Sequence, residues 1–188
     1  MENLGKALID IVDSTWNSLP LLGLMMLVLW GIHALNAMCG LRLNAYGILP
    51  RHRSGLAGIV LSPLLHGSAQ HLFFNSIPLL VLSALLLTNG QAHFFKVTAM
   101  ITLLSGALTW LFGRRAFHVG ASSVIMGYWS LLLVDAYLQR SAVSIVLAGL
   151  CLYYFASLFT SIFPGQRKTS WEGHLFGLLS GVAVSYLH

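Results

Sequence analysis

Apolar residues in this chain come in long runs, separated by short breaks rich in glycine, proline and polar residues. A run of about 20 apolar residues can cross the hydrocarbon core of a bilayer as a helix. Six runs approach that length: about Leu19–Cys39, His66–Thr88, Phe94–Phe112, Val119–Leu138, Ala142–Phe163 and Trp171–Leu187. The breaks carry turn chemistry, as in Asn89-Gly90-Gln91, Gly113-Arg114-Arg115, Gln139-Arg140-Ser141 and the stretch from Phe163 to Lys168 that holds Pro164-Gly165. The pattern predicts an all-α membrane protein, a bundle of six transmembrane helices forming one domain over residues 19–188. Residues 1–18 contain Glu2, Asp10 and Asp13 and no continuous apolar core, so they read as an amphipathic lead-in helix rather than a cleavable signal. Residues 40–65 are different. Gly47, Pro50, Gly55, Gly58 and Pro63 interrupt them too often for a span, yet they are apolar. Such a loop is expected to lie partly in the bilayer, covered by protein.

Composition supports this picture. Hydrophobic residues make up 57% of the 188 and charged residues 8%, against about 25% charged in a typical soluble domain. The net charge is +5. Its basic residues are scattered through the breaks, which suits loops flanking spans rather than a nucleic-acid face. Seven of them (Arg42, Arg51, Arg53, Arg114, Arg115, Arg167 and Lys168) fall at one end of the predicted bundle, and Lys6, Lys96 and Arg140 at the other. The two cysteines, Cys39 and Cys151, do not suggest a disulfide framework.

Polar side chains within spans are expensive and mark function by default. Three clusters stand out: His66 through His71 to Asn75 at the start of the second span, Gly120-Ala121-Ser122-Ser123 at the start of the fourth, and Gly173-His174 at the start of the sixth. Alternate spans run in the same direction, so all three clusters fall on one side of the membrane at similar depth. Their chemistry suits acyl transfer. A serine becomes a nucleophile beside a base such as histidine, which points to Ser122 and His174. The oxyanion of the intermediate needs aimed donors. His71 and Asn75 share a helix face, and the backbone N–H of Ser122 at a helix start has no intrahelical partner. No carboxylate is placed to complete a triad. Asp135 lies about 20 Å along the helix from Ser122, and Glu172 points away from the face of His174. The reading is a Ser–His dyad.

Other readings stand beside it. A serine in a membrane helix commonly bonds a backbone carbonyl, as expected for Ser123, Ser130, Ser157 and Ser180. Histidines at helix ends are commonly interfacial, as expected for His33, His52, His93, His118 and His188. His66 is expected to support the first loop. Gly173, Gly177 and Gly181 form a helix-packing stripe that would also let the sixth span approach the fourth. A catalytically inactive protein that binds membrane helices would keep the same framework. A metal centre or transporter site on His66, His71 and His174 is a third possibility, though no His-Glu-x-x-His is present.

Together, His66, His71 and Asn75, then Gly120-Ala121-Ser122 with Gly127, then His174, Gly177 and Gly181 resemble the rhomboid intramembrane serine proteases, in the family's order and over the chain from about residue 20. The resemblance implies Ser122 as nucleophile, His174 as general base, His71 and Asn75 in the oxyanion hole, and an embedded first loop. It implies substrates that are transmembrane segments of other proteins, a bacterial inner-membrane location, and no metal or cofactor. Ser123 stands where the family usually has glycine. Met126 stands where an aromatic residue often meets the catalytic histidine, and Ala57-Gly58 replaces a Trp-Arg pair in the loop. The resemblance implies a site on the outer face, whereas the distribution of basic residues favours the cytoplasmic one.

Overall fold

The computed structural model describes the backbone of residues 2–140, 142–160, 163 and 170–187, with side chains except at 2–4, 7–8, 142–143 and 157–160. Among these residues the chain is all-α. Its α-helices are α1 (Glu2–Met38), α2 (Gly58–Leu61), α3 (Ala69–Leu87), α4 (Gln91–Phe112), α5 (Ser122–Gln139), α6 (Ala142–Thr160) and α7 (Trp171–Ser185). The lead-in and the first apolar run are one continuous helix, with Pro20 inside it. Ile9–Met38, α3 and α4 are each long and apolar enough to cross a membrane.

The second run starts later than its hydropathy suggests. Ser68 adopts extended backbone and its hydroxyl accepts from the His71 N–H at 3.1 Å, an N-cap. The helix therefore begins at Ala69, and His66 lies before it in the loop. At the other end of α3, Gly90 takes φ +93 and turns the chain into α4, a conformation open to glycine at little cost.

α5 is the central element. It packs on α3, α4, α6 and α7, while α7 also packs on α4 and α1 lies against α3. Buried residues occur along most of α5, from Val124 to Ala136. An interior helix is sheltered on most sides, so its few polar groups are met by protein. Tyr128 hydroxyl and Thr98 Oγ1 of α4 are 2.6 Å apart, and Ser130 Oγ donates to the Leu178 carbonyl of α7 at 2.8 Å.

The first loop folds into short 3-10 turns and α2, packed on itself and on α4. A side chain at Gly58 would strike the backbone of Gly47 and Ile48, and one at Gly106 in α4 would strike Ile59. Ile48 also pairs through both backbone groups with His118, between α4 and α5, at 3.0 and 2.9 Å. The loop is thereby bound to the segment that leads into Ser122.

Candidate active site

The helices α3, α5 and α7 all start at one end of the molecule. The contacts there fix how closely they meet. Gly120 takes φ +121, and a Cβ on it would lie 2.7 Å from His71 Cε1, 2.9 Å from His71 Nε2 and 3.4 Å from Asn75 Nδ2. Glycine is required here twice over, for its backbone angle and for the approach of two side chains from α3. The donor side chains His71 and Asn75 therefore sit against the peptide that leads into α5.

His66, although outside the helix, joins the same group. It is fully buried, and its Nε2 accepts from Asn75 Nδ2 at 3.1 Å; the Ala121 N–H points at the same nitrogen at 3.5 Å. Its ring meets that of His71 edge-on with centroids 5.2 Å apart. Burial pushes its pKa down from 6.5 to about 3, with repulsion from His71 and then His33 adding to the effect and the Leu64 carbonyl opposing it. His66 is thus a neutral acceptor at physiological pH. The ring holds the Asn75 amide in place, a more specific role than loop support.

The approach of α7 to α5 is closer still. A Cβ on Gly177 would lie 2.1 Å from the Ser123 carbonyl oxygen, and one on Gly181 would lie 2.0 Å from that of Gly127 and 2.1 Å from Ser130 Oγ. The second contact is one turn beyond the first on both helices, so the two run parallel and in step. Gly127 is itself pressed against Ile101 of α4 and the Gly177 carbonyl. Going back toward the helix starts from the Gly177–Ser123 contact, the next residue on the same face of α7 is His174, and the residue before Ser123 is Ser122. Both are partly buried. Met126 is buried in the core.

The first turn of α7 is anchored by residues with no catalytic reading in the sequence. His118 Nδ1 meets Ser170 Oγ in a short hydrogen bond, and its Nε2 donates to the Arg114 carbonyl at 3.0 Å. The Ser170 carbonyl in turn accepts from the His174 N–H at 3.2 Å. Glu172, nearly fully buried, pairs with Arg114 Nε at 3.4 Å and accepts from the Arg114 N–H at 3.4 Å. A carboxylate in the first turn also suits the positive end of a helix. His118 and His33 are buried, His52 is exposed, and His188 lies outside the described residues. The signal for His118 was its place in a loop between two glycines, four residues before Ser122. Ser130 and Ser180 bond backbone carbonyls, as expected of serines in membrane helices. Among the described residues no group of three His, Cys, Asp or Glu side chains is disposed to hold a metal ion.

The chain is similar to several mycobacterial proteins. Proteins of Mycobacterium bovis and Mycobacterium tuberculosis, both uncharacterized, are each 36% identical over 169 residues, covering 85% of this chain and 70% of the relative. One from Mycobacterium leprae, also uncharacterized, is 36% identical over 141 residues, 70% of this chain and 56% of its own. The model of the rhomboid domain matches residues 53–188, a stretch that holds the second half of the loop, the three polar helix starts and the glycine seam, and the chain belongs to the rhomboid family.

Proposed function

We propose that this protein is an intramembrane serine endopeptidase that cuts transmembrane segments of other membrane proteins, with its long helices crossing a bacterial cell membrane. The observation that carries the reading is the convergence of three helix starts: His71 and Asn75 against Gly120, and the glycine seam that aligns the turn of His174 with the start of α5.

In this mechanism His174 takes the proton of Ser122 Oγ as the oxygen attacks the scissile carbonyl carbon. The oxyanion so formed receives hydrogen bonds from the Ser122 N–H and the side chains of His71 and Asn75. The tetrahedral species collapses as His174 returns the proton to the leaving amine, which departs with the C-terminal fragment. A water molecule, deprotonated by His174, then attacks the acyl-serine; the acyl–oxygen bond breaks as His174 returns that proton to Ser122 Oγ, and the N-terminal fragment leaves as the free acid. Glu172, whose Oε1 pairs with Arg114, has no role in this mechanism. The parallel α5–α7 pair takes the place of the orienting acid by holding the imidazole on a fixed backbone.

The test is to compare Ser122→Ala with Ser123→Ala on a panel of single-span proteins, together with labelling by a fluorophosphonate probe. Ser122→Ala is expected to abolish cleavage and labelling, while Ser123→Ala retains both. Labelling at Ser123 would reassign the nucleophile. Binding of membrane helices without cleavage or labelling in the wild type would favour the inactive helix-binding alternative.

A further inference from the structure

At the site end of the molecule, the first loop and the end of α4 are joined into one face. The Arg51 N–H donates to the Trp110 carbonyl at 2.9 Å, and its guanidinium donates to the Leu111 carbonyl at 2.9 Å. Trp110 Nε1 donates to the His52 carbonyl at 3.0 Å. These bonds place Arg51 and Arg53 beside the turn that carries Arg114 and Arg115, and all four are exposed. Two of them have work within the fold. Arg51 caps the end of α4, and Arg114 pairs with Glu172. Arg53 and Arg115 do not, since neither side chain bonds or pairs with any described residue. The charge is not balanced locally either. Asp10 and Asp135 line a cleft at the opposite end of the bundle with Asn89 and Gln139, and Asp13 lies one turn from Asp10 on α1.

Immediately beneath the arginines are exposed apolar side chains, Leu111 and Phe112 of α4 and Leu56 of the loop. A basic rim above an apolar flank, at the end of a helix long and apolar enough to cross a membrane, has the profile of the headgroup boundary. Cationic clusters at that depth attract anionic lipids, and the guanidinium fork matches phosphate oxygens in a way an ammonium does not.

We propose that this face binds an anionic phospholipid, its headgroup phosphate held among Arg53, Arg115 and their two anchored neighbours and its acyl chains lying along Leu111 and Phe112. The lipid would then rest at the end of α4, where the Phe112 ring also meets that of Phe176 of α7 with centroids 6.2 Å apart. This binding does not depend on the proposed peptidase activity.

The test uses full-length protein in phosphatidylcholine bilayers carrying a minor fraction of spin-labelled phosphatidylglycerol or, in a parallel sample, spin-labelled phosphatidylcholine. The motionally restricted component of each spectrum reports the lipid held at the protein surface. Wild type is expected to prefer phosphatidylglycerol by about five-fold or more, the scale set by one interfacial arginine. Raising salt from about 0.1 M to about 1 M shortens the Debye length from about 10 Å to about 3 Å and should remove most of that preference, a measurement that needs no variant. Arg53→Gln and Arg115→Gln, singly and together, should lower the preference while leaving thermal unfolding unchanged. Equal affinity for the two lipids in wild type, or a preference that survives both substitutions, overturns the proposal. So does unchanged lipid preference with a raised KM confined to substrates carrying acidic flanks, which would make the patch a reader of substrate.

Discussion

The two helices that flank α5 are attached to it in opposite ways. α7 meets α5 backbone to backbone, at Gly177 and Gly181, with no room for even a methyl group. α6 meets it through side chains, and much of its surface faces outward: Ile145, Val146, Leu150, Leu152, Tyr153 and Tyr154 are exposed. One polar tie between α6 and α5 is the hydrogen bond from Trp129 Nε1 to the Cys151 carbonyl, at 3.2 Å. Four residues beyond that tie, Phe155 leaves helical geometry at φ −114, ψ 15 and kinks the helix. Lipid supplies little hydrophobic drive for helices to associate, so small residues and interhelical bonds decide how firmly they hold. α7 places Gly177 and Gly181 directly against α5, whereas a Cβ at Gly149 of α6 would meet nothing within 4 Å. The molecule thus pairs a close seam, which would hold the proposed nucleophile Ser122 and base His174 in register, with a helical wall, α6, attached chiefly through side chains.

The most severe way to break this contrast is to put a side chain into the seam. Gly181→Val, and to a lesser degree Gly181→Ala, should force α7 away from α5, because the nearest atom is a backbone oxygen that cannot swing aside. Overpacking of this kind costs about 1–3 kcal/mol or more, and a displacement of about 1 Å at a reacting centre can cost about 10²-fold in rate. Thermal unfolding in detergent should shift down, and cleavage of both transmembrane and short soluble substrates should fall together by about 10²-fold or more. Alanine at Gly149 of α6, where a Cβ would meet nothing within 4 Å, is the matched control and should change neither. Equal losses at the two positions would remove the distinction between seam and wall.

The seam was legible in the sequence and the wall only partly. Gly177 and Gly181 stand out because small residues at one-turn spacing have few uses in a membrane helix besides close packing. The long apolar runs likewise marked α3 to α7 and the end of α1 to within a few residues, since length and hydropathy suffice for that, but not the start of α1, which continues the lead-in helix without a break. His66 was harder. Hydropathy does not register a helix cap, so the residue was counted with the span although Ser68 starts the helix after it. The Arg114–Glu172 pair joins residues far apart in the chain, and no local pattern announces it. The aromatic run Tyr153-Tyr154-Phe155 is too bulky for a close small-residue seam, and both of its tyrosines are exposed. The kink at Phe155 has no glycine or proline within it to give it away. Phe159, part of the same run, has its side chain outside the described residues.

A smaller effect should come from the buried support beneath the rigid side of the site. His66 is neutral when folded down to about pH 3, whereas the unfolded chain protonates it near 6.5. Between those values the unfolded state binds more protons, so this residue makes stability rise with pH, and acidification through the window removes that contribution. His66→Gln should flatten the fall in thermal stability between pH 6.5 and about 4 relative to wild type. It should also lower kcat by about ten-fold with little change in KM, less than the 10²–10³-fold typical of losing an oxyanion donor outright, because the Asn75 amide is loosened rather than lost. A wild-type pH dependence of stability in the variant would show that His66 does not carry the acid sensitivity.

The smallest effect, and the most telling for the wall, concerns α6. Ser144 of α6 shares a cleft with Gln139 at the end of α5, and Cys151 meets Trp129 nearer its start. α6 therefore runs opposite to α5, and the part beyond the Phe155 kink heads toward the site end. A transmembrane substrate must enter from lipid, because its backbone amides are all paired within its own helix until it unwinds. A short soluble peptide needs no such entry. If α6 is the wall that opens, loosening it should help only the first. Trp129→Phe removes the tie at a cost of about 1 kcal/mol while keeping an aromatic ring in the core, and Phe155→Ala trims a side chain that packs against the core beside the kink. Each is expected to raise kcat/KM for a transmembrane substrate by about two- to five-fold, the scale of that one bond, and to leave the soluble peptide unchanged. Segments with Gly, Ser or Pro near the scissile bond, which unwind more readily, should gain less than poly-Leu segments if opening and unwinding share the barrier, and equally if opening alone limits the rate. Equal acceleration of both substrate classes would mean that the substitutions act on the site itself, and no acceleration of either would place the lateral entrance somewhere other than α6.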